Sequence, residues 1–204
     1  ITPPVTPIPV AVQCSLPNRG LLFMANEVTA GQMSACLRAG GCWETNVLER
    51  GEAGWDSTCT VGLEGAEAKP ASCINYSAAE QVCDWLGGRL PTKQEWIAEA
   101  SAGGTRTYPW GDTPPSCERV VGGPVQCSQG HGPQPVCQNP AGVSVSGVCN
   151  MAGNIAEFVQ DRQECGGTWA AENTGSFRAD NCGPASAADE LMYWQGVRCV
   201  FDQP

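Results

Sequence analysis

The sequence predicts one loop-rich, disulfide-stabilised domain in which short helices and short strands are mixed, and three observations predict it. Three capping boxes, Thr29 with Gln32, Ser77 with Glu80 and Thr92 with Glu95, each open a short helical pattern that a glycine pair closes. The stretches between them are rich in glycine, proline and serine and carry no hydrophobic period. Thirteen cysteines occur with one histidine and without C-x-x-C spacing, which favours disulfides in an oxidising compartment over metal–thiolate sites. At 204 residues the chain suffices for one domain with a real core.

Taken in order, Ile1 to Val10 carries four prolines and defaults to polyproline II, so residues 1–13 read as a proline-rich tether and residues 14–204 as the domain. Leu21 to Met24 is an apolar run suited to a buried strand. The helix opened by Thr29 turns Met33, Cys36 and Leu37 inward and ends at Gly40-Gly41; Met33 reads as core filler. Trp43 to Ser72 is loop. In the helix opened by Ser77, Val82, Trp85 and Leu86 share a face, and Gly87-Gly88 ends it. Arg89-Leu90-Pro91 links to the helix of Thr92, which carries Trp96, Ala98 and Ala100 and stops at Gly103-Gly104. Tyr108 to Gly111, YPWG, is a compact turn with two rings. Thr113 to Val148, with Cys117, Cys127 and Cys137 ten residues apart, reads as a disulfide-pinned surface loop in which Val120-Val121 alone hints at strand and His131 faces solvent.

Bulk charge removes whole classes of partner. Eleven basic against twenty-one acidic residues give a net charge of -10, which repels phosphate backbones and acidic membrane surfaces, so nucleic acid is excluded as a partner. No apolar run approaches the ~18 residues of a membrane span, and no basic n-region with an apolar h-region stands at the N-terminus.

The succession of RLPT (Arg89 to Thr92), EW (Glu95-Trp96), YPWG, CNMAGNIAEFVQD (Cys149 to Asp161), Gly166-Gly167-Thr168-Trp169 and Gly196-Val197-Arg198-Cys199 resembles the formylglycine-generating enzyme family, the sulfatase-modifying factors. The likeness runs from about Leu21 to Phe201. It implies an α+β domain, the formylglycine-generating-enzyme-like variant of the C-type-lectin-like fold. It also implies a disulfide between Cys83 and Cys199; a second family disulfide is not implied, because its first partner matches Ala100. A structural calcium ion is implied at Asn150 and Glu157 through side chains and at Gly153 and Ile155 through carbonyls. The residues themselves allow this, since a turn glycine followed by oxygen donors at alternate positions suits a hard cation. By pattern alone they favour an asparagine-glycine turn into a strand with Glu157 solvated, and the resemblance tips the reading to calcium.

The family's copper ion is held by two cysteines five positions apart, which oxidise a substrate cysteine to formylglycine. The matching positions here are Ala171 and Ser176, neither a soft thiolate donor, so no copper is expected. Other catalytic assemblies are weakly supported: Ser176 lacks a nucleophile elbow, and Asp189-Glu190 reads as a solvated patch. The chain therefore reads as a non-catalytic extracellular ligand-recognition module, secreted or surface-tethered, extracellular or periplasmic. Trp169, Glu172, Asn173, Ser176, Arg178, Tyr193 and Trp194 are its candidate ligand-binding residues, combining rigid aromatic area with adaptable polar groups, while Phe177 reads as core. A protein, peptide or glycan would fit. Two rivals stand beside it: a copper-dependent oxidoreductase using an unrecognised cysteine pair, and a structural adhesion or scaffold domain. The odd cysteine count predicts one leftover thiol.

Overall fold

Local chemistry builds three helices and two small sheets in the computed structural model, which describes residues 11–13, 20–47, 58–122, 132–185 and 188–202. Helix α1, Ala30–Arg38, begins at Thr29, whose hydroxyl accepts from Gln32 N while the Gln32 side chain accepts from Thr29 N. Helix α3, Lys93–Ala100, has the same reciprocal pair between Thr92 and Glu95. Both match the capping boxes read from sequence. Helix α2, Tyr76–Trp85, differs: its cap is Asn75, which accepts from Ala78 N, and Ser77 lies inside the first turn. Asn75 holds the extended backbone that a cap requires, at φ -93° and ψ 176°, and asparagine is at least as good a cap as serine.

One sheet joins the beginning of the described chain to its end, in the order β1 (Ala11–Gln13), β2 (Leu21–Met24), β7 (Val200–Asp202), all antiparallel, with Leu22 opposite Phe201. The tether read over 1–13 is thus shortened: Ala11–Gln13 is an edge strand on β2, and residues 1–10 lie outside the described residues. The second sheet runs β5 (Cys182–Pro184), β4 (Gln163–Cys165), β3 (Ala156–Val159), β6 (Gln195–Val197). The β3–β6 pair is parallel and the others antiparallel. This mixture of helices and sheets is the expected α+β class.

Helices α1 and α2 pack with Phe158 and Ile74 in one core, where Met33 is fully buried as filler. Trp96 of α3 joins Phe23, Met151 and Val200 in a second. Val120 and Val121 form no strand; they are buried, and Val120 packs with Phe177 and Ala152 in a third, smaller cluster. Disulfides link Cys36–Cys42, Cys59–Cys73, Cys83–Cys199, Cys137–Cys149 and Cys165–Cys182, and Cys117 is bonded as well. Every cysteine among the described residues is therefore in a disulfide. Cys14, Cys127 and His131 lie outside the described residues. No helix among the described residues is long and apolar enough to cross a membrane.

Candidate functional site

The turn before β3 is set by close approach. Gly153 sits at φ +73°, and a Cβ there would come within 2.3 Å of Val120 and 2.4 Å of the Val121 carbonyl, so only glycine lets the segment lie on that loop. Asn150 and Asn154 also hold left-handed backbone, a conformation asparagine tolerates better than most residues. This folding turns both asparagine side chains inward onto Glu27, a buried carboxylate just beyond the end of β2. Asn154 Nδ2 donates to Glu27 Oε1 at 2.8 Å and Asn150 Nδ2 to Oε2 at 3.2 Å. Burial pushes the Glu27 carboxyl up to about 7, partly offset by the nearby Arg198 guanidinium.

Arg198 is the centre of this polar knot and is fully buried. Its Nη2 donates to Glu157 Oε1 at 2.6 Å and its Nε to both Glu157 oxygens at 3.0 and 3.1 Å. The remaining donors reach the carbonyls of Met24 and Cys149 at 2.9 and 2.7 Å. Trp96 Nε1 donates to Glu157 Oε2 at 2.7 Å. Glu157 is thus not solvated, and its carboxylate accepts a full complement of hydrogen bonds from a guanidinium and an indole. A calcium ion on Glu157 would have to displace Arg198, while the Asn150 bond to Glu27 is made by its Nδ2 and not by the Oδ1 that would face an ion. As placed, Glu157 does not fit the ligand role that the resemblance implies for it, its carboxylate being taken by Arg198 and Trp96. Glu27 and Asn154 were not singled out as site residues from sequence, and Trp96 was read only as part of the EW motif and its helix; the glutamate ahead of Val28-Thr29 and the asparagine after Gly153 were the available signals.

The second feature is a cavity of about 270 Å³ against the β3–β4–β5 face. Its wall includes Glu164, Gly167, Thr168, Ala171, Ser176 and Asn181. Gly167, at φ +69°, packs so tightly on Ser176 that a Cβ would lie 2.5 Å from the Ser176 carbonyl, which holds the two loops together. Ala171 and Ser176 both line this cavity. The aromatic candidates gather as well: Trp169 and Tyr193 have ring centroids 5.6 Å apart, and Tyr193 meets Trp194 edge-on at 4.6 Å. All three are half-buried. Trp169 follows the cavity residue Thr168, and the Trp194 carbonyl accepts from N–H of the cavity residue Ala156 at 2.9 Å.

Other candidates fall elsewhere. Phe177 is core, as read. Arg178 is not part of this cavity: it pairs with Asp180 at 2.9 Å and lines a separate hollow with Arg106 and Asp112. The reason is local, since buried Phe177 between them turns Ser176 and Arg178 to different surfaces. Glu172 and Asn173 are exposed and do not line the cavity. Glu164 and Asn181, which do, carried no motif in the sequence.

The sequence profile of the sulfatase-modifying factor enzyme 1-like domain matches residues 12–203. A protein named hercynine oxygenase from Mycolicibacterium thermoresistibile is 30% identical over 131 residues, 52% of this chain and 28% of that protein. The chain spans less than a third of the length of the curated relatives it matches. Among solved structures, PvdO from Pseudomonas aeruginosa superposes with a TM-score of 0.70 at 22% identity, over 89% of this chain and 80% of that one. Treponema denticola variable protein 1 follows at 0.62 and 14%, over 90% and 84%. At such identities the structural likeness speaks of the fold alone, but the profile covers nearly the whole chain. The motifs, the two-sheet architecture and that match agree, and the chain belongs to the sulfatase-modifying factor enzyme 1-like domain family, with the formylglycine-generating-enzyme-like variant of the C-type-lectin-like fold.

Proposed function

We propose that this domain is a non-catalytic ligand-recognition module working in an oxidising, extracellular or periplasmic setting. The observation that carries the reading is the chemistry of one wall: Ala171 and Ser176, which match the family's copper-binding cysteines, both line the cavity, offering a methyl group and a hydroxyl. An alanine has no donor atom, and a serine alcohol is a hard, weakly acidic donor that Cu(I) does not select. The half-buried Trp169, Tyr193 and Trp194 beside that wall supply rigid contact area at low entropic cost.

The test has two arms. Purified protein with copper should leave a sulfatase-derived cysteine peptide unchanged, and Ala171→Cys with Ser176→Cys together should gain copper binding that neither single variant shows. Screening against peptide and glycan arrays should yield a ligand whose affinity falls at least about tenfold in Tyr193→Ala or Trp194→Ala, the loss typical of a central aromatic anchor. Conversion of the peptide by the unaltered protein, or a ligand indifferent to both aromatic substitutions, defeats the reading.

A second reading is favoured by one observation, that Cys165 of the Cys165–Cys182 disulfide lines the same cavity, and its curated relatives are named as oxygenases. In that reading the pair, once reduced, serves oxidoreductase chemistry. Copper-dependent turnover of a thiol peptide that appears only after mild reduction and disappears in Cys165→Ala with Cys182→Ala would establish it instead.

A further inference from the structure

We propose that the Cys165–Cys182 disulfide is a redox latch: a dithiol opens it, strand β5 lifts from its sheet, and the cavity beside Ala171 and Ser176 loses that wall. The inference goes beyond both functional readings, needing neither turnover nor a known ligand. The bond joins directly opposed residues of β4 and β5, and it closes the loop that carries the cavity residues Gly167, Thr168, Ala171, Ser176 and Asn181. It stands at a non-hydrogen-bonded pair, because the ladder bonds fall on alternate positions. Gly166 N–H donates to the Asn181 carbonyl at 3.1 Å and Ala185 N–H to the Arg162 carbonyl at 3.0 Å.

Beyond its backbone bonds β5 has few anchors. Among the described residues it lies at the edge of its sheet, and two of its three residues, Gly183 and Pro184, line the cavity. A Cβ built on Gly183 would meet nothing within 4 Å, and Pro184 is exposed. Cys182 is the β5 residue that packs on the core cluster of Trp96 and Val159. The loop itself is held independently. Phe177 is buried with Val120 and Ala152, Trp169 N–H donates to the Asn154 carbonyl at 2.9 Å, and Ala179 N–H donates to the Thr107 carbonyl at 2.9 Å. Opening the bond therefore frees an edge strand as a local unit and leaves the domain folded.

Access separates this bond from most of the others. Cys36–Cys42, Cys59–Cys73 and Cys83–Cys199 have both cysteines buried, whereas Cys182 is half-buried and open to an incoming thiolate. Cys137–Cys149 is accessible too, through exposed Cys137, but the loop it closes carries no residue of this cavity. Lys93 Nζ lies 3.4 Å from the Cys182 carbonyl, and a cation beside a cysteine favours the thiolate through which exchange passes. One thiolate of the dithiol attacks Cys182 Sγ, the S–S bond breaks, and Cys165 Sγ leaves with the electron pair and takes a proton. The second thiol then attacks its partner sulfur in the mixed disulfide, Cys182 leaves as a thiolate and is protonated, and the reductant departs as its own disulfide. Two electrons and two protons pass from the dithiol to the pair.

The experiment exposes the intact domain to graded dithiothreitol, traps free thiols with iodoacetamide, maps the labelled cysteines and reads amide hydrogen exchange by NMR. At the lowest reductant concentration that labels Cys165 and Cys182, the three buried disulfides should stay closed. Ala185 and Gly166 N–H should then lose at least about tenfold in protection while Trp169 and Ala179 keep theirs. The methyl group of buried Ala156, which lines the cavity, should become accessible to a soluble paramagnetic chelate, and reoxidation should reverse every change. Cys165→Ser with Cys182→Ser should show the open pattern without reductant; where that variant does not fold, the reduced parent protein carries the test alone. Unchanged protection of Ala185 and Gly166 once the bond is shown open, or loss of protection throughout the domain, overturns the proposal. So does a bond that opens only together with the buried disulfides, or an exchange response that follows the labelling of Cys137 and Cys149 instead.

Discussion

Arg198 has its charge neutralised inside the core chiefly by Glu157, with Glu27 at 4.0 Å beyond it. Removing one partner of such a pair strands the other, at a cost of about 3–5 kcal/mol. Glu157→Ala should therefore lower the melting temperature by about 10 °C, at 2–4 °C per kcal/mol for a domain of this size, as read by thermal unfolding. Because the same carboxylate is saturated by Arg198 and Trp96, melting curves with calcium and with a chelator should coincide; a rise with calcium that Glu157→Gln abolishes would show the ion binding there after all. This knot was illegible in the sequence for a physical reason. Glu27 meets Asn154 across 127 residues and Arg198 meets Met24 across 174, and no local period or spacing encodes such contacts. Thr92 with Glu95, three residues apart, was legible because a capping box is complete within one helical turn.

Helix α2 shows where local reading reaches its limit. Asn75 and Ser77 stand two residues apart, and either could cap; the backbone decides for Asn75, so Asn75→Ala should cost about 1 kcal/mol while Ser77→Ala stays within about 0.5. Chemical denaturation of the two variants separates them. Between α2 and α3, Arg89 bridges Glu95 and Asp202, each at 2.8 Å, tying the cap of α3 to strand β7. Hydrogen bonding from Arg89 holds the Glu95 carboxyl below the usual range, and the same cause lowers Asp202. A depressed carboxylate contributes stability that is present above its unfolded pKa and lost as pH falls through the folded one. Stability should accordingly decline below about pH 4.5, and Glu95→Gln should flatten that acid limb in melts taken across pH; an unchanged limb would remove Glu95 from the account. The strands were less legible than the helices. Each strand among the described residues has only three or four residues, too short for an alternating pattern to show, although the apolar run Leu21–Met24 stood out because it is buried at the sheet's centre.

Over the whole molecule, Cys83–Cys199 spans 116 residues and joins α2 to the segment between β6 and β7. Spacing alone cannot choose among the pairings that thirteen cysteines allow, so this bond was readable only through the family resemblance. A cross-link of that length removes about 4–5 kcal/mol of unfolded-state freedom in the chain-entropy model. Cys83→Ala with Cys199→Ala should lower the melting temperature by about 10 °C or more, and a double variant that melts like the parent would assign the stability to the sheets. The cavity was half legible: the sequence pointed to Ala171 and Ser176, while Glu164 and Gly183 emerge only when β4 and β5 are laid beside β3. The pairing of β2 with β7 also bears on how the protein is made. Strand β2 is synthesised long before its partner at residues 200–202. At about 5–20 residues per second the wait is roughly 10–35 s. Throughout it, Leu21 and Phe23 have no sheet partner on that side and Cys83 has no Cys199 to meet. Until that partner strand arrives, the growing chain carries an apolar strand without its central pairing and a Cys83 without its disulfide partner.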